Sequence, residues 1–220
     1  MIAVSTDYLS IIRALPPGAT TIFRNVPWED YESLLDEITD EPHLRISYND
    51  GVMQIMTTST DHEELAVLIS IFIRVIEDEL RIPIQSYRTA TFKKDKKQKG
   101  TEPDDCFYIQ NAAKVIGKKF DIETDPPPDL AIEVDLSSPS LSKFPIYAAL
   151  GVPELWRYKN DGVKFYQLVN GEYDEVESSP AFPFLSSSTI THFLLQGITD
   201  GQTAAKWAFA DWVRANKPTA

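Results

Sequence analysis

The chain has 220 residues, 43% of them hydrophobic and 25% charged, which is enough for one sizeable core and ordinary for a globular fold. A net charge of −12 excludes a surface that is basic all round, so any nucleic-acid role must rest on a local patch. One cysteine, Cys106, excludes an internal disulfide framework and a cysteine-based zinc knuckle, and no apolar run approaches the ~18 residues of a membrane span.

Residues Met1 to Asp7 put no basic stretch ahead of a greasy one, so no secretory leader is read and a cytoplasmic location is expected. Tyr8 to Arg13 reads as a short helix ended by Pro16-Pro17-Gly18, and the remainder of residues 1–25 gives no clear pattern. Val26 to Ile38 has Pro27 and acids at its start and apolar residues at helical spacing, which suits a second helix. Leu44 to Met56 reads as a hairpin with Asn49-Asp50-Gly51 at its turn and Val52, Ile55 and Met56 in the core.

The best helix follows. Thr60 or Asp61 can cap it, and Leu65, Leu68, Ile69, Phe72, Ile73, Ile76 and Leu80 form a stripe broad enough to pack on a sheet. Glu63 and Glu64 suit its first turn through the helix dipole alone. His62 beside them is either an exposed helix-start residue or a ligand contact.

Ile84 to Phe92 reads as a strand leading into five lysines, Lys93, Lys94, Lys96, Lys97 and Lys99. That run is either a solvated hairpin tip or a phosphate-contacting loop for DNA. Glu102 to Ile109 reads as a further strand with Asp104, Cys106 and Tyr108 on one side. Cys106, with no basic neighbour in sequence, reads as a small buried filler. Ala112 to Lys118 suits a helical turn.

The stretch Asp129 to Leu136 alternates with period two. Leu130, Ile132, Val134 and Leu136 fall on an apolar side, and Asp129, Ala131, Glu133 and Asp135 on the other. Three carboxylates spaced only by a small residue, followed by the turn Ser137-Ser138-Pro139-Ser140, suit a divalent-metal site; a solvated acidic face on an edge strand explains them equally well. Ser140 or Ser142 then caps a helix to Leu150, with Gly151 as its left-handed stop and Pro145 tolerated near the first turn. Lys143, at that helix entrance, can swing back toward the preceding strand. Glu154 to Tyr158 is another strand, Asp161-Gly162 and Asn170-Gly171 are turns of an antiparallel meander, and 178–188 is a loop. Two helices close the chain, one from Thr203 to Ala215 with Trp207 and Trp212 as aromatic packing.

Asp104 and Glu133 lie on strands whose connection is long enough for the two carboxylates to meet side by side. A hard cation such as Mg²⁺ or Mn²⁺ fits that pair, and with a lysine the set suits phosphodiester hydrolysis. Paired carboxylates also serve glycoside hydrolysis, but nothing else in the chain suggests a sugar cleft.

Leu44 to Gly51, Asp61-His62, Glu102-Pro103-Asp104, Pro128 to Val134, and Lys143 to Tyr158 with Tyr147 and Gly151-Val152-Pro153-Glu154-Leu155-Trp156 in register resemble, in order, the landmarks of the Uma family of bacterial endonucleases. That family belongs to the PD-(D/E)XK restriction-endonuclease-like superfamily. The likeness implies an α/β (α+β) fold, a mixed sheet flanked by helices with an antiparallel meander, spanning 27–215 as one domain between an extension at 1–26 and a tail at 216–220. It implies a Mg²⁺-dependent (or Mn²⁺-dependent) endonuclease acting on DNA, with Asp104, Glu133 and Lys143 as the catalytic residues, the two acids as metal ligands and Lys143 as the electrostatic group, and it makes a homodimer the expected assembly. The superfamily lysine normally sits two residues beyond the glutamate, where this chain has Asp135; Lys143 is the substitute. Ser47 stands where the family commonly has Glu. These departures leave a catalytically inactive binding or assembly module as the alternative. Asp129, also preceded by a proline, is a rival for the motif aspartate or a supporting group, and His62, Asp135 and Tyr147 are candidate supporting residues.

Overall fold

The computed structural model describes residues 8–38, 43–119, 121, 124–136, 141–159 and 162–218. The expected Ser137 to Ser140 turn, Ser140 as a cap and Asp161 of the Asp161-Gly162 turn lie outside them. Among the described residues the strands form two sheets.

Helix α1 (Tyr8–Arg13), strand β1 (Thr20–Arg24), helix α2 (Trp28–Glu37) and the hairpin β2 (Leu44–Asn49) and β3 (Val52–Thr57) open the chain. Asp50 and Gly51 both take positive φ, as the hairpin turn requires. Leu44, Ile46, Tyr48, Met53 and Ile55 bury one core with Trp28, Tyr31 and Leu34 of α2. Val52 is only half-buried, since it starts β3 at the turn end of the hairpin, where the core does not reach. Strand β1 has no clear pattern in the sequence and pairs antiparallel with β3.

Helix α3 (Thr60–Leu80) is capped by Ser59, one residue ahead of the expected Thr60 or Asp61, because the Ser59 side chain accepts from His62 N. The expected strand 84–92 is two short pieces, β4 (Gln85–Ser86) and β5 (Phe92–Lys94), in different sheets. The chain breaks between them at a turn where Arg88 has φ 50. A 3-10 turn at Asp95–Lys97 and β6 (Lys99–Thr101) complete the lysine hairpin, which joins the first sheet in the order β1-β3-β2-β6-β5.

The second sheet holds β7 (Asp105–Tyr108), β8 (Leu130–Val134), β9 (Glu154–Lys159), β10 (Gly162–Val169) and β11 (Glu172–Val176), with helix α4 (Ala112–Val115) between β7 and β8. Its order is β11-β10-β9-β8-β7-β4. Among the described residues only the β8–β9 pair is parallel, and helix α5 (Phe144–Leu150) is the crossover that a parallel pair needs. The mixed sheet, flanking helices and meander are the expected architecture.

One face of this sheet packs Phe107, Leu130, Ile132, Trp156 and Phe165 on α3 and on the closing helices α6 (Ser187–Asp200) and α7 (Gln202–Asn216). Its other face is covered by α5, whose Ile146, Tyr147 and Leu150 meet Cys106, Ala131 and Leu155. Strand β8 is therefore central and buried on both sides, so the solvated-edge explanation of its carboxylates does not hold. Leu136 departs from the expected alternation and is 48% exposed, because the strand stops at Val134. Trp207 is 67% exposed rather than packed: the buried stripe of α7 runs through Ala205, Phe209 and Val213, and position 207 points the opposite way. Trp212 does stack, on Phe184 and Phe209. The loop expected at 178–188 ends in a bridge between Ser178 and Ser186 and the first turn of α6. No helix among the described residues is long and apolar enough to cross a membrane.

Candidate active site

Asp104 sits one residue ahead of β7, and its N–H donates to Ile132 O of β8 at 3.1 Å. Its Oδ2 in turn accepts from Val134 N at 2.7 Å. This reciprocal tie holds the Asp104 carboxylate beside Glu133, which points from β8 toward α5. Both acids are buried, Asp104 at 4% and Glu133 at 7% exposure, where a charge without partners would be costly.

Glu133 has two partners from α5. Lys143, at the N-cap position, places Nζ 2.5 Å from Glu133 Oε2, and the Tyr147 hydroxyl donates to Glu133 Oε1. Residues i and i+4 stack on one side of a helix, so the two donors approach the same carboxylate. Lys143 rather than Ser142 occupies the cap position, and it makes no cap bond of its own. Burial pushes the Glu133 carboxyl up, against the attraction of Lys143. Burial works against the Lys143 ammonium too, but the charges of Glu133 and Asp104 outweigh it and hold its pKa above the usual lysine value.

Asp104 faces cations from the other side. His62 Nε2 lies 3.3 Å from Oδ2, and Arg45 Nε of β2 lies 3.7 Å from Oδ1. Burial would raise the Asp104 carboxyl, yet the His62 contact and the charges of His62 and Lys143 hold it below the usual range. His62 is buried at 3% rather than exposed at the helix start. Burial disfavours its charged form, but Asp104 more than offsets this and raises its pKa. Glu63 bridges outward to Arg45 at 3.6 Å.

The other expected site residues go elsewhere. Asp129 binds the turn after β7, accepting from Ile109 N, Asn111 N and Asn111 Nδ2. Asp135 pairs with Arg157 and with Lys159 at 3.3 Å. Ser47 meets the Thr101 hydroxyl at 2.8 Å. In the hairpin, Lys94 and Lys97 donate to Leu150 O and Ala149 O at the C-terminal end of α5, where a helix dipole favours cations. Lys93 pairs with Glu32 and Lys99 with Asn49 and Asp50, while Lys96 is exposed.

Three further residues near the centre, Arg45, Glu102 and Gln54, carry no signal of a site role of their own in the sequence. Arg45 alternates with Ser47 along β2, a period-two hint with no reason to turn inward. Glu102 is a half-buried acid that accepts from Ile46 N at 3.2 Å and from the Thr91 hydroxyl at 2.9 Å. Gln54 accepts from Leu141 N at 2.5 Å and so fixes the segment leading to Lys143. Gln54, Glu133, Lys143, Tyr147 and Arg157 line one pocket at the mouth of the site.

Among the described residues no three His, Cys, Asp or Glu side chains gather as a ready-made metal cage. The donors at hand are two carboxylates, which suits a hard cation that keeps several waters. Asp104 Oδ1 is buried and accepts no hydrogen bond, so it is the oxygen best placed to bind such a cation. Both Glu133 oxygens are engaged, and one would have to exchange its partner.

A sequence model of the Uma2 family, described as "Putative restriction endonuclease", matches residues 28–199. No curated protein matches the chain. Among solved structures, it is similar to a "putative nuclease belonging to DUF820" from Anabaena variabilis, at 18% identity and a TM-score of 0.49, over 73% of this chain and 98% of that one.

Proposed function

Since the chain belongs to the Uma2 family of restriction-endonuclease-like proteins, we propose that it is a Mg²⁺-dependent or Mn²⁺-dependent endonuclease hydrolysing DNA phosphodiester bonds. Asp104 and Glu133 would hold the cation. When bound, it supplies a Lewis acid that lowers the pKa of a coordinated water and offsets phosphate charge. Lys143 keeps an ammonium beside Glu133, where it would steady negative charge developing on the phosphate. Tyr147 fixes the Glu133 carboxylate, and His62 with Arg45 fixes that of Asp104. The observation that carries this reading is the convergence of Asp104, Glu133 and Lys143, with Lys143 Nζ 2.5 Å from Glu133 Oε2, both of these lining one pocket and both feeling the Asp104 charge.

The test is nicking of supercoiled plasmid in Mg²⁺ or Mn²⁺. Asp104→Ala and Glu133→Ala are each expected to abolish nicking while circular dichroism shows an intact fold. If both variants cut as fast as the unaltered chain, the assignment is wrong. Nucleases of the superfamily often pair to cut two strands, so a homodimer is the proposed working unit, which sedimentation would show.

A second reading, a nuclease fold kept as a binding or assembly module, is favoured by one feature. Asp135 stands in the lysine slot and is itself neutralised by Arg157 and Lys159. Calorimetry separates the two, since a nuclease binds Mg²⁺ or Mn²⁺ at the cluster and a bare scaffold does not.

A further inference from the structure

With four of its five lysines engaged, the basic hairpin leaves open which surface of so acidic a chain would meet a polyanion. The sheet around the site offers one. The β8–β9 register sets Glu133 against Arg157, and the β9–β10 register sets Arg157 against Lys164. Paired residues share a sheet face, and Lys159, two positions beyond Arg157, shares it as well. Arg157 is a common wall of two concavities. One is the site pocket with Glu133, Lys143 and Tyr147, and the other holds Lys159, Lys164 and His192.

The state of these cations is informative. Arg157 lies over the Phe144 ring, 5.5 Å from its centroid, and both Arg157 and Lys159 reach the same oxygen, Asp135 Oδ2. The Arg157 and Lys159 side chains are 25% and 38% exposed, so both can turn outward without unpacking the core, whereas Asp135 is 11% exposed. Lys164 is further out and pairs with Glu175 at 2.9 Å. A planar guanidinium matches a phosphate in two parallel hydrogen bonds, as it does a carboxylate, and an ammonium adds a point charge.

We propose that Arg157 and Lys159 form a phosphate-contact surface for a nucleic-acid backbone running from the Glu133–Lys143 pocket into the neighbouring groove, with Asp135 as the internal anion that holds both cations until a phosphate replaces it. The choice of polyanion rests on the nuclease reading above. The exchange is of one oxyanion for another, so removing the internal one should help the external one bind. Asp135 then has a role of its own in the slot where the superfamily carries a lysine.

The test is fluorescence anisotropy of a labelled DNA duplex with the whole chain in EDTA, over a series of salt concentrations. Arg157→Gln with Lys159→Gln is expected to weaken binding about tenfold and to flatten the log–log salt slope by about 2, one for each phosphate no longer neutralised. Asp135→Asn is expected to bind more tightly than the unaltered chain, a gain that misfolding cannot imitate, and Lys96→Gln to bind as the unaltered chain does. Unchanged affinity in the double variant, or weaker binding by Asp135→Asn, overturns the proposal. Because no cleavage is read, a chain that binds in this way but never nicks DNA would sink only the nuclease reading. An active nuclease whose DNA affinity ignores positions 157 and 159 would sink only this one.

Discussion

Lys143 Nζ lies 2.5 Å from Glu133 Oε2, joining the start of α5 to the middle of the central strand β8. Glu133 is buried and the Lys143 side chain is only 12% exposed, and each is the other's principal compensation. Lys143→Met keeps the apolar stem and removes the ammonium, leaving a buried acid without its cation. The expected loss is about 3–5 kcal/mol in urea denaturation, with part of it restored when Glu133→Gln is added. Single and double variants of equal stability would show that the pair is not coupled.

Tyr31 and Gly100 make a second test, independent of the site. A Cβ at Gly100 would lie 2.2 Å from the Tyr31 hydroxyl and 2.9 Å from its ring carbon Cζ. Tyr31 is fully buried, with its ring stacked on Tyr48 and tilted against Trp28, so it cannot swing aside. Gly100→Ala should cost about 1–3 kcal/mol by overpacking. The buried Tyr31 hydroxyl makes no hydrogen bond. Tyr31→Phe should therefore be neutral or stabilising, and should relieve part of the Gly100→Ala penalty in a thermal-melt cycle.

Glu154 should give a measurable pH dependence of stability. It is 1% exposed and accepts from Trp156 Nε1 at 2.6 Å and Ala181 N at 2.8 Å, tying the segment before α6 to the sheet. Burial pushes its carboxyl above 4.5, against the hydrogen bonds from Ser179, Trp156 and Ala181. The folded chain therefore holds this proton more tightly than the unfolded one. The resulting stability is complete below about pH 4.5 and falls as pH rises through the raised folded value. Glu154→Gln should lack that part of the slope when denaturation midpoints are compared across this window.

The plasmid assay with Asp104→Ala and Glu133→Ala reads the site's chemistry, and a rate loss without unfolding is the expected outcome for both. His62→Asn should lower nicking by a smaller factor, since His62 touches Asp104 and acts through its position. Full activity in His62→Asn would remove that positioning role.

Periodicity is enough for the hairpin at 44–57, for α3 and for the apolar side of β8, because each is governed by local spacing. The reach of Lys143 back to the strand is legible too, since Pro145 and Gly151 fix where α5 lies. What depends on the partner surface is not. The carboxylate side of β8 reads the same whether water or a helix covers it, and only the crossover position of α5 decides. The expected strand at 84–92 is divided between two sheets by a left-handed turn at Arg88, a residue type that gives no warning of positive φ. Trp207 looks like packing until the stripe through Ala205, Phe209 and Val213 sets the helix rotation. Arg45, Gln54 and Arg157 come to the site from strands brought together by long-range pairing, which no local pattern encodes.

The most direct measurement is a crystal of the unaltered chain soaked in Mn²⁺ and probed by anomalous scattering. A peak within coordination distance of Asp104 Oδ1 and one Glu133 oxygen, absent from crystals of Asp104→Ala, is the expected result. No peak at these carboxylates under saturating Mn²⁺, or one bound elsewhere with the Glu133–Lys143 pair undisturbed, would contradict it.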